Sequence, residues 1–170
     1  MRKYNKSRKG FTLLEVVLAI AIMMLTASVF FSLILVVVKS HTNVVAANDM
    51  ADFAMLNGRA IENAIINSKS VGDSGGKQIK VKGNRVCKGA TPLLSMEQYE
   101  IIPSNDKWEI SVSFKSDAAT RTVYYTVTLK DQANKIDGVN KYTYTYSGSV
   151  YIPHGTVKDS SGSSIVVSDW

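Results

Sequence analysis

The sequence predicts an α+β protein. One long N-terminal α-helix, membrane-spanning in its first half, packs by its amphipathic second half on a C-terminal antiparallel β-sheet. Three observations carry this reading. Val16 to Val38 runs for 23 residues without a charge. Met50, Phe53, Ala54, Ile61, Ala64 and Ile65 then recur at spacings of three, four and seven, one face of a helix. After Lys77 the apolar period drops to two, the signature of half-buried strands.

The elements follow in order. Residues 1–10 form a basic leader. Of the 20 basic residues, Arg2, Lys3, Lys6, Arg8 and Lys9 lie there with no acid among them, and the other 15 nearly balance the 14 acids. The overall charge of +6 therefore belongs mostly to the leader. It argues for a cytoplasmic N-terminus flanking a membrane span more than for nucleic-acid binding. Residues 11–38 form the apolar helix. At about 1.5 Å per residue the uncharged run reaches roughly 35 Å, enough for a hydrocarbon core of about 30 Å. Its polar interruptions, Thr26, Ser28 and Ser32, can bond to carbonyls of their own helix.

Residues 39–68 continue the helix as an amphipathic segment ending near Ser68, before the glycine-rich Gly72–Gly76 loop. Asn57-Gly58 reads as a weak point or kink within it. Residues 69–170 form the extracytoplasmic sheet domain. Ile79 and Val81 mark one strand and Tyr99 to Ile102 a short one. Trp108–Phe114 and Val123–Leu129 alternate cleanly and form an antiparallel hairpin. Tyr142, Tyr144 and Tyr146 mark another strand, continued by Ser149 to Ile152. Lys158 to Ser164 reads as a loop, and Ile165 to Val167 as a last edge strand.

Three readings compete for the apolar segment: a secretory signal peptide, an uncleaved signal anchor, and a leader cut before the span. The run is too long for the first, since such regions hold about 7–15 apolar residues. The second leaves Glu15 unexplained. A carboxylate in an apolar helix costs a few kcal/mol at mid-bilayer and less near the interface, so it marks a function with a partner.

The string Lys9-Gly10-Phe11-Thr12-Leu13-Leu14-Glu15 resembles the signal of type IV prepilins and pseudopilins. The resemblance implies a structural subunit cut by prepilin peptidase between Gly10 and Phe11, and methylated on the freed Phe11 amine. It implies that Glu15 faces that amine, commonly on a neighbouring subunit, during assembly. The partners implied are prepilin peptidase, other pilin or pseudopilin subunits packed through their helices, and the cytoplasmic membrane. The location implied is a single-pass protein with its N-terminus inside, later drawn into an extracellular filament or pseudopilus. Members of this family serve adhesion, twitching, DNA uptake or secretion. Many major pilins carry proline or glycine in the apolar helix, whereas Phe11 to Asn57 here has neither. That predicts a continuous helix and favours a minor subunit.

The sequence shows no enzyme signature. There is no Ser/His/Asp grouping and no phosphate-binding glycine loop. His41 and His154, with one cysteine, make a poor metal site; no metal, cofactor or catalytic residue is expected. The lone Cys87 excludes an intrachain disulfide and reads as an inert thiol. The tyrosines at 142, 144 and 146 read as one face of a strand, with base or sugar stacking as the sharper alternative. Lys77, Lys80, Lys82, Arg85 and Lys88 lie within twelve residues without an acid. They read as a solvated edge strand, or as a candidate contact for DNA or a polyanionic wall polymer. The alternative function is thus a membrane-anchored extracytoplasmic binding module that does not polymerise.

Overall fold

The computed structural model describes residues 11–100, 107–132, 135–136, 139–140 and 142–169. The chain divides into two units, residues 1–44 and 45–170, and the helix α1 (Leu13–Ile66) contributes to each. Its 54 residues are unbroken, as expected of a stretch without proline.

In the first unit the apolar side chains stand exposed around the whole helix, among them Leu25, Phe30, Phe31 and Leu35. The hydroxyls behave as predicted. Thr26 donates to the Met23 carbonyl at 2.9 Å, Ser28 to Leu25 at 2.8 Å and Ser32 to Val29 at 2.7 Å. Each polar group is satisfied within the helix, so none needs water at membrane depth.

The second unit holds the core. The helix buries Met50, Phe53, Ala54, Ile61 and Ile65 there, with Ala64 half-buried at its margin. Each large side chain contributes roughly 1.5–3 kcal/mol by leaving water. The predicted stripe is observed, with Asn57 and Gly58 also buried inside it. Asn57 remains satisfied by donating its amide to the Phe53 carbonyl at 2.9 Å. Gly58 is a site of close approach, since a Cβ there would overlap the Tyr146 ring. The helix stops at Ile66, and the buried Ser68 hydroxyl donates back to the Ile65 carbonyl at 2.6 Å.

The strands are β1 (Ser70–Val71), β2 (Lys77–Lys82), β3 (Arg85–Lys88) and β4 (Thr91–Pro92). A short helix α2 (Met96–Glu100) follows. Then come β5 (Trp108–Asp117), β6 (Thr122–Asp131), β7 (Lys135–Ile136), β8 (Val139–Asn140), β9 (Thr143–Tyr151), β10 (Thr156–Val157), β11 (Ser160–Gly162) and β12 (Ser164–Ser168). They make two larger sheets in place of one. One sheet has the order β11-β5-β6-β9 and is antiparallel throughout. The other has the order β10-β1-β12-β2-β3-β4, and its β1–β10 pair is parallel. A small β7–β8 pair stands apart.

The α+β class and the predicted β5–β6 hairpin are borne out. Its turn is tied by Asp117, whose carboxylate accepts from the Ala119 amide at 2.9 Å. Three details differ. Ile165 to Val167 lie inside the six-stranded sheet, between β1 and β2. The polar 158–164 segment contains β11, paired to β5. Tyr99 is helical, because Ser95 and Gln98 form a capping box. The Gln98 amide donates to the Ser95 hydroxyl at 3.2 Å, and the Ser95 amide to the Gln98 side chain at 3.1 Å. Ile101 and Ile102, the rest of that predicted strand, lie outside the described residues.

The inner face of the four-stranded sheet carries Ile110, Val112, Phe114, Val123, Tyr125, Val127 and Leu129. The helix lies on this face. The Tyr125 hydroxyl donates to Glu62 of α1 at 2.5 Å, and Phe53 packs 5.8 Å from the Trp108 ring centre. Burial, joined by the Glu62 carboxylate, pushes the Tyr125 phenol well above its ordinary range. The sheets are linked by Asn84 in the β2–β3 turn. Gly83 and Asn84 both have positive φ, 57° and 58°, the conformation of a two-residue hairpin loop. The Asn84 side chain accepts from the Ile110 amide at 2.8 Å and donates to the Trp108 carbonyl.

Candidate functional site

The candidate site is the start of α1. Thr12 is its N-cap. The Glu15 amide donates to the Thr12 hydroxyl at 3.3 Å, and the Thr12 amide donates to the Glu15 carboxylate at 3.4 Å. This is a capping box: it gives the open Thr12 amide a partner, and the Glu15 amide is shared between the Thr12 hydroxyl and the Thr12 carbonyl, the latter at 3.0 Å. It also puts a negative charge where the helix dipole favours one. Thr-x-x-Glu is the sequence signature of such a box, here overlapping the start of the apolar run.

The box answers part of the question Glu15 poses. Its carboxylate is turned back toward the chain start, along the backbone of Thr12. Both partners are exposed. Phe11, 82 % exposed, precedes the cap directly. Gly10 and the basic leader lie outside the described residues. Downstream, α1 is the one helix among the described residues that is long and apolar enough to cross a membrane.

The five basic residues of the second candidate group lie on β2 and β3, in antiparallel register with Lys82 opposite Arg85. Neither strand is a sheet edge along its length, because β2 lies between β12 and β3, and β4 covers the end of β3. The solvated-edge reading therefore fails for Lys80 and Lys88, which are flanked on both sides, and holds at Lys82, which β12 does not reach. Three of the five are engaged. Lys77 and Lys88 both meet Asp169, Lys77 at 3.5 Å. Lys88, with Lys77, holds the Asp169 carboxyl below the usual carboxylate range. Arg85 lies 4.3 Å over the Tyr99 ring. Lys80 and Lys82 are exposed.

The remaining candidates fall apart in space or in chemistry. Cys87 is a buried free thiol. His154 is exposed in the turn before β10, and among the described residues no group of three His, Cys, Asp or Glu side chains could hold a metal. Tyr144 and Tyr146 face the core, half-buried on β9, with Tyr142 just before that strand.

No curated protein and no solved structure matches the chain. Residues 5–31 match the family model described as the prokaryotic N-terminal methylation motif. That span covers the end of the leader, the Gly10–Phe11 junction, the capping box and most of the apolar run. The chain thus carries a prokaryotic N-terminal methylation motif at the head of a long apolar helix, an arrangement consistent with a type IV pilin or pseudopilin.

Proposed function

We propose that this chain is a non-enzymatic structural subunit of a type IV pilus-like filament or pseudopilus. Prepilin peptidase removes residues 1–10, and the Phe11 amine is methylated. One observation carries the reading: the methylation motif opens a helix whose apolar side chains find no cover among the described residues. Leaving such side chains in water costs roughly 1.5–3 kcal/mol each. They therefore require lipid before assembly and sister helices after it. Before assembly the leader stays in the cytoplasm and the sheet domain outside.

Glu15 supplies the register. A charge in a dry helix bundle is costly alone and much less so opposite a cation. The freed Phe11 amine, with an ordinary pKa near 8, is that cation. The capping box already directs the carboxylate toward the N-terminal end, where an incoming amine would meet it. Greasy helices then supply affinity while the ion pair selects alignment. The unbroken helix favours a minor subunit.

The test has two parts. Intact-mass and N-terminal analysis of the protein from cells containing prepilin peptidase should show a chain starting at Phe11, one methyl group heavier than unmodified. Gly10→Ser should accumulate as precursor. Glu15→Val should be processed normally yet recovered in sheared filaments at least tenfold less than wild type. An untrimmed native chain, or a Glu15→Val subunit incorporated as well as wild type, would overturn the processing or the assembly assignment respectively.

A further inference from the structure

The outer face of the four-stranded sheet has a chemistry that filament assembly does not account for. Register places its side chains in rows across the strands. Ser113, Thr126 and Ser147 form one row, and Ser111, Thr128 and Thr145 the next. The Thr126 and Ser147 hydroxyls bond each other at 3.1 Å. The middle of this face is thus uncharged and lined with hydroxyls. At one end the rows change character. Ser161, Lys115, Tyr124 and Ser149 lie side by side on four strands, and Asp117, Thr122 and Tyr151 form the last row.

Tyr124 and Tyr151 are 46 % and 61 % exposed. Tyr151 lies two residues beyond the partner of Tyr124, so the two are diagonal neighbours with Cα atoms about 7–8 Å apart. Exposed neighbouring aromatics on an otherwise polar sheet face offer flat apolar surface. Beside Tyr124 lies a depression of about 610 Å³, lined also by Lys115, Asp117, Asp159, Ser160 and Ser161.

The two carboxylates are held in place. Asp117 accepts from the Ala119 amide at 2.9 Å, and Asp159 accepts from the Ala118 amide at 2.8 Å. The Thr120 side chain and the Ala119 amide keep Asp117 below the usual carboxylate range. An ionised carboxylate has about four acceptor sites; Asp117 spends up to three on the Ala119 amide and on the amide and side chain of Thr120, so Asp159, bonded to the Ala118 amide, has the larger spare capacity. Such acceptors suit ligand hydroxyls. They do not suit phosphates, because Lys115 is outnumbered by Asp117 and Asp159 in the lining. A polyanion needs a basic footprint, and the cations nearest this lining are engaged elsewhere: Arg121 donates to the Pro153 carbonyl at 3.2 Å and Lys158 pairs with Asp73 at 2.7 Å.

We propose that this end of the sheet binds a neutral glycan, with sugar rings stacked on Tyr124 and Tyr151 and ring hydroxyls bonded to Asp117 and Asp159. The site is independent of cleavage, of Glu15 and of the β2–β3 lysines.

The experiment uses the full chain in lauryldimethylamine oxide micelles, a detergent without a sugar headgroup. Cellohexaose and hexa-N-acetylchitohexaose are titrated by calorimetry, with a fifteen-residue oligothymidylate as the polyanionic control. At least one glycan should bind with Kd on the order of 0.1–1 mM. Tyr124→Ala and Tyr151→Ala should each weaken it roughly tenfold or more, with the circular dichroism spectrum unchanged. Asp159→Asn should also weaken it, and Lys80→Ala should not. Failure of both glycans to bind at 10 mM would overturn the proposal. So would binding that survives the double tyrosine variant, or oligothymidylate binding more tightly than either glycan.

Discussion

At the scale of single residues, the informative groups are those whose partners lie close in sequence or are fixed by burial. Thr12 and Glu15 belong to the first kind. Removing an N-cap hydroxyl costs about 1 kcal/mol. Thr12→Ala in micelles should therefore speed hydrogen exchange of the Glu15 amide roughly fivefold, leaving amides around Leu25 unchanged. Equal rates would show that the capping box does not hold the helix start. Tyr125 belongs to the second kind. Its phenol is buried and donates to Glu62, so its ionisation is held above that of an unfolded tyrosine. The sign follows from proton binding: above about pH 10 the unfolded chain loses this proton before the folded one. The contribution is full below about pH 10 and declines as pH rises toward the folded value. Denaturant unfolding should show stability falling above that pH, and Tyr125→Phe should flatten the fall. The same variant should lower neutral-pH stability by about 1 kcal/mol, the net worth of the lost hydrogen bond. An unchanged alkaline slope would rule this account out.

At the scale of elements, α1 is joined to the four-stranded sheet through a notch. Gly58 on the helix and Gly148 on β9 have no side chain where the rings of Tyr146 and Tyr125 pass. Gly58→Ala would force the Tyr146 ring to move, an overpacking cost of about 1–3 kcal/mol that outweighs alanine's better helix propensity. The sheet domain should melt several degrees lower, read by near-ultraviolet circular dichroism. A variant as stable as wild type would mean that the ring adjusts freely. In the sequence, Asn57-Gly58 reads as a weakness because helix propensity alone is visible there. The tyrosine that makes glycine necessary lies 88 positions away in the chain. The tyrosines show the same limit. The run at 142, 144 and 146 draws the eye, yet Tyr144 and Tyr146 turn inward, while Tyr124 and Tyr151 are the exposed pair.

At the scale of the whole molecule, the two units have opposite requirements. Residues 45–170 bury a continuous core of their own, whereas the apolar side chains of residues 13–38 have none. A chain beginning at Val45 should therefore be soluble and monomeric without detergent. It should unfold cooperatively, with coincident far- and near-ultraviolet transitions. Aggregation of that fragment, or loss of its near-ultraviolet signal, would show that its fold depends on the apolar segment. The full chain should require lipid, detergent or assembly for solubility, measured by sedimentation.

The amino-acid sequence alone determined the features that rest on local pattern. These are the uncharged run, the helix face from Met50 to Ile65, the alternation of β5 and β6, and the methylation motif at residues 5–31. Each is a matter of period or adjacency, so neighbouring residues suffice to specify it. Only the tertiary structure decided that two sheets form, that Ile165 to Val167 insert between β1 and β2, and that β10, parallel to β1, forms one edge of the larger sheet. Those pairings join short segments separated by dozens of residues. A two- to five-residue strand carries too few side chains to name its partner, and that choice is made by the shared core it helps to close.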